Sequence, residues 1–145
     1  MYSFLIGNWR KLMIKELTIS QKDLDFIQIQ LEINKPYEAC GVIIGTTSDT
    51  MVYVKRVIPV TNVRRTEASF ELDPREFYDA WNNADKEGNE IVGVYHTHPF
   101  YSATPSSWDI KTMKNVPSIW LIAGVNGIWG YVYEDGIEYV KMWVK

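Results

Sequence analysis

A chain of 145 residues that is 46% hydrophobic and 23% charged fits one globular domain with a real core and is too short for two ordinary ones. Its formal net charge of −3 argues against the broad basic face that phosphate contacts along a nucleic acid require, so no nucleic-acid partner is expected. The single cysteine, Cys40, allows neither an intrachain disulfide nor a Cys-rich zinc ribbon nor a paired-thiol redox motif, and any metal must rest on His and carboxylate ligands.

Residues 1–7 are apolar, but Arg10, Lys11 and Lys15 interrupt the run well before the roughly 20 residues that span a bilayer. A secretory signal puts its positive charge ahead of the apolar run, and here the order is reversed. The expectation is a cytoplasmic protein with no membrane contact. Residues 13–19 alternate like an opening strand, so residues 1–13 read as an N-terminal extension or tail and 14–145 as one domain.

Ser20 with Asp23 has the form of an N-cap, and Leu24, Ile27 and Leu31 recur at helical spacing, which predicts a helix over 21–34. Beyond Pro36, Gly41-Val42-Ile43-Ile44-Gly45 suits a short buried strand, with Glu38 on its approach. Residues 51–60 are rich in Val, Ile and Tyr and predict a longer strand paired with it across a turn at 46–50. The polar stretch 61–68 reads as a mobile surface loop, after which residues 69–72 resume alternation.

Asp73-Pro74 opens a second helix reaching about Glu87, with Phe77, Tyr78 and Trp81 as its apolar stripe and Gly88 as its stop. Residues 91–95 form another apolar strand, whose end delivers His96 and His98 to one side because strand side chains repeat every two residues. Pro105-Ser106-Ser107 can open a third helix through about Lys114, with Asp109 in its first turn. Residues 118–125, 128–133 and 137–144 are strand-like, the last two joined at the hairpin signal Asp135-Gly136. The sum is an α/β or α+β mixed sheet flanked by about three helices.

Catalytic zinc takes three protein ligands from His and Asp/Glu and leaves a fourth position for water. His96, His98 and Asp109 make up such a set. Taken singly, each has a bland reading: strand-end polar residues and a helix-start acid. Together they are the only two histidines in the chain, stiffened by Pro99, followed by a carboxylate that can close the third side.

His96-Thr97-His98-Pro99, a gap, then Ser106-Ser107-Trp108-Asp109 resembles the signature of the JAMM (MPN-plus) metalloproteases. Tyr37-Glu38-Ala39-Cys40-Gly41-Val42-Ile43-Ile44-Gly45 is similar to that family's upstream segment, and Phe70-Glu71-Leu72-Asp73-Pro74 to the stretch before its central helix. The resemblance spans roughly 14–133. It implies a JAMM/MPN, cytidine deaminase-like sandwich with one Zn²⁺ per chain held by His96, His98 and Asp109. It also implies that Glu38 takes a proton from water and returns it to the leaving amine, and that Ser106 donates to the oxyanion, a contact of the kind worth about 2.7–4 kcal/mol. The plain reading of these two residues is a solvated acid before a strand and a helix N-cap. Cys40 reads as a small buried apolar residue rather than a nucleophile.

The resemblance further implies an isopeptidase or peptidase acting on ubiquitin-like or sulfur-carrier modifiers that end in Gly-Gly, and on their conjugates. The span after Asp109 holds no His or Cys for a second zinc, as in a minimal prokaryotic member, bacterial or archaeal. Arg64 and Arg65 on the 61–68 loop are candidates for one wall of the substrate site. Phe100, Tyr101 and Trp108, with Tyr95, flank the ligands either as packing or as substrate contacts. Two alternatives remain: a non-catalytic MPN scaffold or binding module, and a zinc amidohydrolase of another specificity, RadC-like or acting on peptidoglycan peptides.

Overall fold

A computed structural model describes residues 14–116 and 118–145. The residues read above as an N-terminal extension therefore lie outside the described ones. Along the chain run β1 (Glu16–Ile19), α1 (Gln21–Asn34), β2 (Cys40–Ser48), β3 (Met51–Val60), α2 (Pro74–Lys86), β4 (Glu90–Thr97), α3 (Ser107–Asn115), β5 (Ile119–Gly124), β6 (Gly127–Tyr133) and β7 (Ile137–Val144).

Helix starts form where side chains can satisfy the orphan amides of the first turn. Ser20 accepts from the Asp23 amide at 3.1 Å to open α1, and Asp73 accepts from the Arg75 and Glu76 amides ahead of Pro74 to open α2. The α2 stripe differs from the expected one. Phe77, Ala80 and Ala84 are buried and Trp81 packs against the same cluster, whereas Tyr78 is 52% exposed. Positions 77, 80, 81 and 84 share one helical face, and residue 78 lies about 100° round from Phe77.

The strands order as β1-β3-β2-β4-β5-β6-β7 and close, because β1 pairs in parallel with both β3 and β7. The mixed sheet with helices is the expected class, and its closure is a feature beyond the expected sandwich. The β2–β3 hairpin extends further than anticipated: Thr46, Thr47 and Ser48 remain paired, so the turn is only Asp49 and Thr50. Residues 69–72 make no strand; Leu72 forms a single bridge to Asn62.

Alternation along β2 divides the core. Cys40, Val42 and Ile44 join Val94, Trp120 and Ile122 in the cluster that also holds Phe77 of α2 and Met113 of α3. Ile43 joins Val92, Tyr95 and Leu121 in the other cluster, with Ile27 and Leu31 of α1. His96 follows Val94 by two, so it projects onto the α2/α3 face, where α3 can meet it. Among the described residues no helix is long and apolar enough to cross a membrane.

Candidate metal centre

Three elements converge at the end of β4. Register pairs His96 with Cys40 on one side and Ile122 on the other, so its position is fixed by two neighbouring strands. His98 lies one residue past the strand and its amide donates to the Ala123 carbonyl at 2.7 Å. Its Nδ1 lies 2.8 Å from the Ser102 carbonyl, which orients the ring as a metal-binding imidazole is usually oriented and leaves Nε2 facing inward. Ser102 and Ala103 are held in turn: the Ala103 amide donates to Asn126 Oδ1 at 2.7 Å, and the Tyr131 hydroxyl donates to the Ala103 carbonyl at 2.8 Å.

Asp109 comes from the first turn of α3. Ser106 caps that helix: its Oγ accepts from the Asp109 amide at 3.1 Å, and the Ser106 amide donates to Asp109 Oδ2 at 2.9 Å. This reciprocal box stabilises the helix start and also aims the carboxylate. Asp109 Oδ1 is 3.0 Å from His96 Nε2 and Oδ2 is 3.1 Å from His98 Nε2, while the two Nε2 atoms are 3.2 Å apart.

These separations test whether the residues fit a cation. Zinc–ligand bonds of 2.0–2.2 Å in a tetrahedron put donor atoms about 3.3–3.6 Å apart, close to the spacing here. All three side chains are buried: His96 0%, His98 3% and Asp109 1% exposed. Two facing ring nitrogens at 3.2 Å cannot both carry a hydrogen comfortably, and a cation would satisfy both lone pairs and the carboxylate at once. The donor set fits.

Glu38 is the second feature. It is 3% exposed, its Oε1 has no hydrogen-bond partner among the described residues, and a carboxylate oxygen lies within 4.8 Å of a ring nitrogen of each histidine. Glu38 and Asp109 therefore compete as third donor. Asp109 is nearer, and the electrostatics favour it. Burial pushes the Glu38 carboxyl up to about 8; the His98 charge opposes this in part and the Asp109 carboxylate adds to it. Burial pushes Asp109 the same way, but the two imidazoles and the Ser106 amide outweigh it and hold that carboxyl well below the usual carboxylate range. An ionised carboxylate is the better ligand, and a carboxyl that can hold a proton near neutral pH is the better proton carrier. Burial lowers the His96 pKa. For His98 burial is outweighed by hydrogen bonds to Asp109 and the Ser102 carbonyl, and the pKa rises.

The Glu38 backbone is clamped on several sides. Its amide donates to the Thr66 carbonyl at 3.3 Å, its carbonyl accepts from Asn62 Nδ2 at 2.9 Å, and the next amide, of Ala39, donates to Thr97 Oγ1 at 2.8 Å. The 61–68 loop, expected to be mobile, is thus tied to the site. Phe70 beyond it stacks on His96 with ring centroids 4.4 Å apart. Asn62, Thr97, Phe70 and Ser102 shape the site, and sequence reasoning assigned none of them a place there; the partners of Asn62, Thr97 and Phe70 are distant in the chain, and Ser102, four residues from His98, acts through its backbone carbonyl, which leaves no side-chain signal.

The remaining candidates divide. The Tyr101 ring lies 6.0 Å from that of His98, and Trp108 packs edge-on to Phe70 at 5.1 Å. Arg64 lies over Trp108 and bonds Ser69 Oγ, while Arg65 lies over Tyr37 and lines a cavity of about 180 Å³ with Tyr37, Glu38 and Asn62. Phe100 is 54% exposed and sits under Lys35. Tyr95 is fully buried in the α1 cluster, so it packs. Cys40 is buried, its thiol donates to the Val60 carbonyl, and burial pushes it up to about 12, in keeping with an inert core residue.

Residues 22–133 match the family described as prokaryotic homologs of the JAB domain. The chain is 32% identical over 111 residues to the desampylase of Pyrococcus furiosus, covering 74% of this chain and 76% of that one. It is 34% identical over 87 residues to a probable TtuB-protein conjugate cleaving protease of Thermus thermophilus, covering 59% of this chain and 57% of that one. The solution structure of a Desulfitobacterium hafniense protein superposes with a TM-score of 0.78 at 25% identity, covering 89% of this chain and 92% of that one.

Proposed function

Since the chain belongs to the prokaryotic homologs of the JAB domain, we propose that it is a zinc-dependent isopeptidase or peptidase that removes ubiquitin-like or sulfur-carrier modifiers ending in Gly-Gly. The observation that carries the proposal is the buried trio His96, His98 and Asp109, with the two Nε2 atoms 3.2 Å apart and one Asp109 oxygen 3.0 Å and the other 3.1 Å from them, and the Glu38 carboxyl beside it. The named relatives, a desampylase and a conjugate-cleaving protease, support the same class. In this reading 14–145 is one catalytic unit, working in the cytoplasm with one zinc.

His96, His98 and Asp109 would hold the ion. When bound, zinc supplies a Lewis acid that polarises a carbonyl and acidifies water. Glu38 exchanges a proton at its carboxyl: starting as the carboxylate it accepts one as water adds to the scissile carbonyl carbon, and as the carboxylic acid it delivers that proton to the nitrogen as the C–N bond breaks, so the amine leaves neutral and the carboxylate is restored. Ser106 Oγ accepts from the Asp109 amide through a lone pair, which leaves the hydroxyl hydrogen able to donate to the developing oxyanion. Half-buried at the helix start, the residue serves as cap and donor together. Tyr101 and Trp108 are the better candidates for walls of the substrate channel, and Arg64 and Arg65 act from the rim.

The test is incubation of the zinc-loaded protein with a linear fusion of a diglycine-ending modifier, with mass measurement of the products. Cleavage directly after Gly-Gly, slowed roughly 10²–10⁴-fold in Glu38→Gln with zinc retained, is the expected outcome. A protein that binds no zinc after reconstitution would fit the scaffold reading instead.

A further inference from the structure

Asn62 uses its whole side-chain amide. Nδ2 donates to the Glu38 carbonyl at 2.9 Å and to the Ser69 carbonyl at 3.3 Å, while Oδ1 accepts from the Arg64 amide at 3.1 Å and the Glu71 amide at 3.0 Å. Both hydrogens and both lone pairs are engaged, and carbonyls on one side with amides on the other fix which end is which. The Ser69 carbonyl and Glu71 amide are the peptide groups on either side of Phe70, and Phe70 stacks on His96. One side chain therefore spans from the backbone of Glu38 to the residue packed on a metal-ligand ring. Beside it the loop is closed by backbone bonds, Val63 amide to Glu71 carbonyl and Asp73 amide to Thr61 carbonyl, and it sends the Thr66 carbonyl back to the Glu38 amide.

We propose that Asn62 is a positioning residue for the reaction: its clamp sets the distance between the Glu38 carboxyl and the His96/His98/Asp109 trio. The inference rests on the reading of Glu38 as the proton carrier. The unpartnered Oε1 gives the carboxyl no hydrogen bond at that oxygen, so its placement leans on its backbone. The Asn62 bond to the Glu38 carbonyl, the Thr66 bond to its amide and the Thr97 bond to Ala39 are what define that backbone. Thr66 also reaches the Ser69 carbonyl, through its hydroxyl at 3.2 Å, and of the three only Asn62 joins the peptide groups on both sides of Phe70. Proton transfer tolerates little displacement, and a misplacement of about 1 Å can lower a rate about a hundredfold.

Asn62→Asp separates the two halves of the clamp, because it keeps oxygens for the Arg64 and Glu71 amides and removes the donor to Glu38 and Ser69. Asn62→Ala removes both halves and serves for comparison. With the modifier fusion as substrate, Asn62→Asp is expected to lower kcat about a hundredfold with KM within twofold, at unchanged zinc content. In a Glu38→Gln background the same substitution should change the residual rate less than twofold, since the group it positions is already disabled. An equal factor in both backgrounds would mark Asn62 as merely structural and overturn the proposal. Hydrogen exchange of the zinc-loaded proteins reads the clamp without reference to activity: the Glu38 amide should exchange at least tenfold faster in Asn62→Asp, with β2 still protected. Unchanged exchange at Glu38 also overturns it. If the wild type leaves the fusion intact, the functional reading fails on that result alone, and the exchange data still decide the clamp.

Discussion

Glu38 and Ser106 show how a side chain's ordinary preference and its catalytic use can coincide. Glu38 keeps its proton up to about pH 8 in the fold, whereas an unfolded carboxyl releases it near 4.5. Between those values the unfolded chain binds fewer protons than the folded one, so this residue makes folding less favourable as pH rises. In the metal-free protein the stability of Glu38→Gln relative to wild type should therefore grow from pH 5 to pH 8, with a limiting slope of roughly 1.4 kcal/mol per pH unit. Urea unfolding across that range measures it, and a pH-independent difference would count against the buried, protonated carboxyl. For Ser106→Ala, loss of the cap should lower stability by about 1 kcal/mol, and loss of the oxyanion donor should lower kcat by roughly 10²–10³. A drop in stability alone would reduce Ser106 to a helix cap.

At the scale of elements, the site depends on β4, the 98–103 loop and α3 arriving together. Gly124, the last residue of β5, is where the loop crosses: a Cβ there would meet the Ala103 amide nitrogen at 2.5 Å and the Tyr101 carbonyl oxygen at 2.6 Å. Both are backbone atoms and cannot swing aside. Gly124→Ala should displace the Ser102 carbonyl from His98 Nδ1 and weaken zinc affinity about 10–100-fold, as losses of such supporting bonds do. Competition with a zinc-binding dye checks this, and unchanged affinity would show that His98 needs no help from the loop. Elements with local signals were legible: Ser20 and Asp73 cap their helices as read, and the strand after Gly88 delivers its histidines to one place. The length of the β2–β3 hairpin was not, because Thr46 and Thr47 are turn-compatible residues whose pairing with Tyr53 and Val52 is decided across the sheet. Tyr78 misled because an aromatic next to Phe77 looks like stripe until the helix is docked.

For the whole molecule, the closure through β1 was illegible, since a four-residue strand gives no hint that it will pair with both β3 and β7. The candidate ligands were proposed from spacing and resemblance, but the clamp around Glu38 exists only once residues 38, 62, 66 and 97 meet. A metal bridging β4 and α3 ties together parts of the chain that otherwise meet through side-chain packing. Zinc at a hundredfold excess over its Kd should add about 2.7 kcal/mol of stability, so a chelator should lower Tm by several degrees. The shift should persist in Glu38→Gln and vanish in His98→Ala. A chelator-insensitive Tm would leave the trio as a hydrogen-bonded cluster without a metal.

The central claim is that this chain cuts a peptide or isopeptide bond after a diglycine tail using the His96/His98/Asp109 centre. Mass measurement of a linear diglycine-modifier fusion after incubation with the zinc-loaded protein tests it most directly. The account predicts two products separated after the second glycine, absent with chelator and formed roughly 10²–10⁴ more slowly with Glu38→Gln. Intact fusion in the presence of bound zinc, or cleavage that survives both chelator and Glu38→Gln, would contradict it.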